Sequence, residues 1–208
     1  MVKYNYNGKK ENIYMPGYVI HVAVAQEYLK KHKNNENKEE FVKGTIEPDL
    51  IKPKTLSHYG KSPAYTNLKK FLESNEIETS FQKGFFLHLI TDYLFYNHYL
   101  DKFSREDIYN DYDILNARLI EKYNVQLPEK VKQYVFNKEG ITKILSEELA
   151  CKVIDEISNL KMEDIQKEVL EDNEKWTTYK NLIKKGEINM LGYVSGEYDI
   201  LRAKDLRK

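Results

Sequence analysis

The chain has 208 residues, and its 33 basic and 33 acidic side chains cancel. That balance excludes a global field that would steer the protein to nucleic acid or to an anionic membrane. A single cysteine, Cys151, excludes an intramolecular disulfide framework and a thiolate metal cluster, and its setting in EELACKVIDEI reads as a buried, inert thiol.

The opening MVKYNYNGKKENIY has no apolar h-region, so no signal peptide is expected. No segment reaches the ~18 uncharged apolar residues of a membrane span, and a cytoplasmic location is the expectation. Apolar residues at a period near 3.6 predict a helix over 17–31, with Pro16 in a position that a first turn tolerates. KHKNNENKEE then reads as a solvated break. Residues 43–63 hold Gly44, Pro48, Pro53, Gly60 and Pro63 and read as a long irregular loop, a type of segment that usually carries function.

A short helix is expected over 65–72 and a buried one over 78–99. Ser104-Arg-Glu-Asp107 resembles a capping box that opens a helix running to 123. Pro128 opens VKQYVF, amphipathic helices follow over 142–160 and 162–185, and Gly186 ends the last of them. The tail INMLGYVSGEYDILRA has the pattern of a short hairpin. The expected fold is therefore all-α, a single domain over 1–208, with ligand-type residues within 21–113 and a helical C-terminal half as support.

Chemistry concentrates in GFFLHLITDYLFYNHYL, the most apolar run of the chain, which holds His88, Asp92 and His98. His88 and Asp92 are four apart, on one helix face about 6 Å apart along the axis, so both can reach one cation. An unpaired carboxylate is costly to bury, which calls for partners for Asp92. His98 lies about 80° further around an ideal wheel, off that face. Further candidates are His21 in YVIHVAVA, Asp49 in GTIEPDLI and His58 in LSHYG. A bundle with buried His–Asp hydrogen bonds and no metal is the alternative. His32, in KKHKNN, suits a helix C-terminus.

The order His21, Pro-Asp49, Ser-His58-Tyr, His88-x-x-x-Asp92-x-x-x-x-x-His98 resembles the zinc-dependent phospholipase C family, whose superfamily includes the fungal single-strand nucleases. The resemblance covers about residues 15–117. It implies an all-α fold with a cluster of up to three zinc ions. It further implies that Asp49, His58, His88 and Asp92 surround one ion, that Asp92 bridges to a second held by His21, and that His98 is the first ligand of a third. Asp49 would stand near the bridging water as general base. The implied reaction is hydrolysis of a phosphate ester, with a metal-activated water attacking phosphorus in line.

The chain also departs from that pattern. No tryptophan lies near His21, and no histidine follows His98 to complete a third site. Asp107, Asp111, Asp113 and Asn116 stand in that region; Asp113 is nearest the expected position, and a solvated helix face is the other reading of these acids. Zinc, one to three ions, is the expected cofactor, with iron, manganese or magnesium favoured where carboxylates replace imidazoles. Tyr59, Tyr93 and Tyr96 flank the ligands and are expected as pocket walls around a small phosphoester. The competing function is a metal-stabilised helical binding or scaffold protein without catalysis. Oligomeric state stays open.

Overall fold

The computed structural model describes residues 17–32, 35–101, 103–171 and Trp176. Among these the chain is helical, with no strand. The hairpin expected in the tail, Gly186 and the later part of the expected 162–185 helix lie outside the described residues.

Two helices form the centre. In α1 (Tyr18–His32) every residue from Tyr18 to Ala25 is buried, and in α5 (Ser80–Leu94) every residue from Phe86 to Leu94 is. A helix that is apolar all round must be wrapped by others, and α1 packs on α2 (Lys38–Leu50), α5, α6 (Arg105–Tyr123) and α8 (Glu147–Ile157). Thr79 starts α5 with a reciprocal capping box to Gln82, which satisfies two of the donors a helix N-terminus leaves open. Ser104 caps α6 by accepting from Asp107 N. The polar positions inside this apolar centre thus come from the same helices that build the core.

The helix α2 corrects the sequence reading. Residues 38–50, assigned in part to a solvated break and in part to the irregular loop of 43–63, form three turns capped by Asn37. Only the stretch beyond Leu50 is broken up, into α3 (Lys54–Ser57) and a 3-10 turn at Pro63–Tyr65. Gly44 and Pro48 signal a break locally, but the α2–α5 contact overrides them. A Cβ on Gly44 would sit 2.0 Å from the Phe81 carbonyl oxygen, and one on Gly84 would sit 1.9 Å from that of Phe41. Two glycines facing opposite backbones let the helices cross far closer than side chains permit. Dispersion and apolar burial along that crossing offset the weak propensity of glycine and the missing N–H of Pro48.

Two other short helices are α4 (Leu68–Ser74) and α7 (Glu129–Lys132), and α8 covers only the middle of the expected 142–160 helix. The last described helix, α9 (Met162–Leu170), starts where the sequence places it. After Leu94 the chain widens into a π-turn, Phe95–Tyr99, closed by Leu100 N donating to Phe95 O at 3.0 Å. None of the described helices is long and apolar enough to cross a membrane.

Candidate metal centre

Five side chains from four segments converge beside the α2–α5 crossing. The helix α1 supplies His21, α2 supplies Asp49, the residue after α3 is His58, and α5 supplies His88 and Asp92. His21, Asp49 and Asp92 are each 6% exposed, while His58 and His88 have no exposed surface. The accessible edge of the cluster is therefore the one formed by His21 and the two carboxylates.

Asp92 is the hub. One carboxylate oxygen, Oδ2, lies 3.0 Å from His58 Nε2 and 3.3 Å from His88 Nε2. The other, Oδ1, lies 3.3 Å from His21 Nε2. His58 Nε2 is also 3.9 Å from Asp49 Oδ1, and the His58 and His88 Nε2 atoms stand 3.3 Å apart. Two overlapping trios, His21–Asp49–His88 and His58–His88–Asp92, have ligand atoms close enough to surround an ion. Three imidazoles and two carboxylates form a nitrogen–oxygen donor set suited to zinc, with harder ions admitted by the oxygens.

The outer atoms of the imidazoles test whether such an ion suits the site. His88 Nδ1 lies 2.8 Å from the Thr45 carbonyl oxygen, which can only accept. That bond fixes the proton on Nδ1 and leaves the inward Nε2 with a lone pair in the neutral ring. His58 Nδ1 lies 2.8 Å from Ser57 Oγ, so it too is oriented from outside. His21 Nδ1 is buried with no hydrogen-bond partner among the described residues. The residues therefore suit a metal, with the inward nitrogens of His58 and His88 positioned by outer bonds as metal-binding histidines usually are.

The electrostatics are those of a site built around positive charge. Burial alone would raise the Asp92 carboxyl, but His88, then the hydrogen bonds from His21, His58 and His88, hold it well below the usual carboxylate range. Burial also works to raise Asp49, and is outweighed chiefly by the Lys54 ammonium, so its carboxyl is lowered. Burial pushes His21 and His58 down. For His88 burial has the same sign, but Asp92 and Asp49 outweigh it and raise the imidazole. Without an ion, a proton on His88 is what the carboxylates attract.

Lys54 is a residue that spacing did not single out. Its Nζ donates to Asp49 Oδ1 at 2.8 Å, to Asp49 O at 3.0 Å and to Pro48 O at 3.2 Å. It thus ties α3 to the last turn of α2, where unpaired carbonyls accumulate, and holds one oxygen of Asp49.

A tyrosine wall flanks the cluster. Tyr96, expected as a pocket wall, is buried and hydrogen-bonded to Tyr112. Burial, then neighbouring tyrosine and aspartate charges, keeps the Tyr96 phenol well above its ordinary range. Tyr112 is raised well above its range too, by burial and then Asp92, so both are donors at any physiological pH. Tyr59 is instead directed to α4, with its hydroxyl accepting from Asn75 Nδ2 at 2.9 Å and its ring edge-on to Phe71. Tyr93 packs 5.4 Å from Trp176 between ring centroids.

The two remaining expected ligands stand apart. His98 is exposed on the π-turn, with its ring 6.1 Å from that of Tyr93. Asp113 is buried and paired with Lys138 Nζ at 2.9 Å. Among the described residues, neither belongs to a trio able to hold an ion. Asp111 is accounted for as well: its carboxylate accepts from the backbone N–H groups of Lys143, Ile144 and Leu145, tying the following loop to α6.

Comparison of the chain with protein-family models, with characterised proteins and with solved structures finds no match.

Proposed function

We propose that the protein is a metal-dependent hydrolase of phosphate esters, similar in its ligand order to the zinc-dependent phospholipase C family. The observation that carries this reading is the convergence of three buried imidazoles on the two oxygens of Asp92 beside a second carboxylate, Asp49. His21, Asp49, His58, His88 and Asp92 would hold the metal. When bound, it supplies Lewis-acid stabilisation of phosphoryl charge and a lowered pKa for water.

The chain's own groups do the rest. Lys54 holds Asp49 Oδ1, which leaves Oδ2 to take the proton from an attacking water, the general-base role. The small exposed edge at His21, Asp49 and Asp92 limits bulk water and strengthens every charge interaction inside. Tyr112, whose ring borders Gly17 as that of His21 does, keeps a protonated phenol.

Metal-loaded protein assayed against a panel of phosphoesters, with and without chelator, tests the reading. Chelator-sensitive turnover is expected, and Asp49→Asn should lower kcat by about 10²–10⁴-fold while metal content is retained. Turnover unchanged in that variant overturns the general-base role. A second reading, a metal that only locks α2, α3 and α5 together, is favoured by the complete burial of His58 and His88. It predicts metal-dependent melting with no turnover of any ester.

A further inference from the structure

We propose that Tyr59 is a positioning residue of the metal centre: held in a left-handed backbone conformation by α4, it fixes where His58 meets Asp92. This rests on the metal-binding half of the reading above and does not depend on hydrolysis.

Two non-glycine residues among those described have positive φ, Asn124 at 49° and Tyr59 at 57°. Asn124 is the C-cap of α6, a place where asparagine takes this conformation readily. Tyr59 is a different case. A bulky side chain at positive φ brings its Cβ against neighbouring backbone, and Tyr59 immediately follows the candidate ligand His58. A glycine stands at the next position, yet it answers another constraint: a Cβ on Gly60 would lie 1.6 Å from the Tyr65 carbonyl oxygen. The bend therefore falls on the tyrosine. Such conformations persist only where the surroundings over-determine them, and they gather at functional sites.

The surroundings here belong to α4 and, through it, to α5. The Tyr59 hydroxyl accepts from Asn75 Nδ2 at 2.9 Å, and the same amide donates to Phe71 O at 2.8 Å. The Tyr59 ring meets Phe71 edge-on, with centroids 5.3 Å apart. Phe71 in turn stacks on Phe85 and Phe86, at 5.6 and 5.4 Å. Phe86 is two residues ahead of His88 on the helix that also carries Asp92. A continuous set of contacts thus runs from the residue after one ligand to the helix that carries two others.

The near end of that set is His58 itself. Its N–H donates to Lys54 O at 2.8 Å, and its carbonyl accepts from Asn67 N at 3.0 Å. A rotation of φ at Tyr59 would have to break the Asn67 bond or pull Gly60 from the Tyr65 backbone. Either change loosens the turn that holds His58 Nε2 3.0 Å from Asp92 Oδ2. The anchor on α4 keeps that rotation from occurring.

The experiment loads full-length protein with cobalt(II), whose visible absorption reports the ligand geometry around it. Wild type is set beside Tyr59→Phe, Tyr59→Ala and Tyr59→Gly. Readouts are affinity by chelator competition, the cobalt spectrum, and Tm of the metal-free protein. Tyr59→Phe keeps the ring and loses one hydrogen bond, and should bind about 2–10-fold more weakly. Tyr59→Ala loses the whole anchor and keeps the backbone cost. It should bind about 10–100-fold more weakly, as when a ligand loses its support, with an altered spectrum. Tyr59→Gly loses the anchor but takes positive φ freely, so its affinity and spectrum should lie closer to wild type than those of Tyr59→Ala. If Tyr59→Ala and Tyr59→Gly do not fold, Tyr59→Phe decides alone. A lower Tm with wild-type affinity and spectrum makes Tyr59 a packing residue and overturns the proposal, while the metal centre stands. Equal losses in Tyr59→Ala and Tyr59→Gly overturn it too. Wild type that binds no cobalt overturns the metal centre and the proposal together.

Discussion

His88 Nδ1 lies 2.8 Å from the carbonyl oxygen of Thr45, and this single bond joins the close helix crossing to the candidate metal centre. Thr45 adjoins Gly44, and its hydroxyl donates to the Gly84 carbonyl at 3.2 Å. His88 is one turn beyond Gly84. The glycines set the approach of α2 and α5, that approach brings Thr45 O to His88, and the bond turns His88 Nε2 toward Asp92. Asp49 follows one turn after Thr45 and arrives at the same place.

A substitution at the crossing should therefore act on the metal site as well as on stability. In Gly84→Ala the new methyl would meet the Phe41 backbone at 1.9 Å, and backbone cannot rotate away. We expect a loss of about 1–3 kcal/mol by urea denaturation, the usual cost of overpacking, accompanied by weaker metal binding. Unchanged stability would show that the crossing is looser than described.

Ser57→Ala removes the outer partner of His58 Nδ1 without touching a ligand atom. Loss of such a partner typically costs about 10–100-fold in metal affinity, and competition with a calibrated chelator would measure it. The fold should be retained, since Ser57 sits in a one-turn helix at the edge of the cluster.

Asp113→Asn separates pairing from ligation. Asp113 is engaged with Lys138, so the variant should alter stability and leave the number of bound ions unchanged by elemental analysis. A fall in stoichiometry would restore Asp113 as a ligand.

Loading should depend on pH with a definite sign. His88 is raised when no ion is bound, so its proton stabilises the metal-free fold below the ordinary imidazole value of about 6.5 and is lost as pH rises past the raised value. An ion must displace that proton. The gain in Tm on adding metal should therefore widen as pH rises from about 5.5 to about 8. A gain that narrows over this range would contradict the assignment of His88 as a ligand.

What the sequence made legible was whatever departs sharply from its surroundings. His88 and Asp92 stand out because an apolar helix has no cheap place for them, and His21 stands out in α1 for the same reason. Ser104 was readable as a cap because capping is local chemistry. The helix α2 was not, since Gly44 and Pro48 break a helix by local rules and only the backbone of α5 shows why they do not here. Lys54 looked like any surface lysine until the end of α2 was placed beside it. Tyr59 and Tyr93 are near ligands in sequence, and the backbone directs their rings to Phe71 and Trp176.

The central claim is that His21, Asp49, His58, His88 and Asp92 hold metal. Elemental analysis of protein purified without chelator, wild type beside Asp92→Asn, tests it most directly. At least one ion per chain is expected in wild type, with stoichiometric binding lost in the variant. Wild-type protein that carries no metal, takes up none on dialysis against zinc, and melts at the same temperature with and without chelator would contradict it.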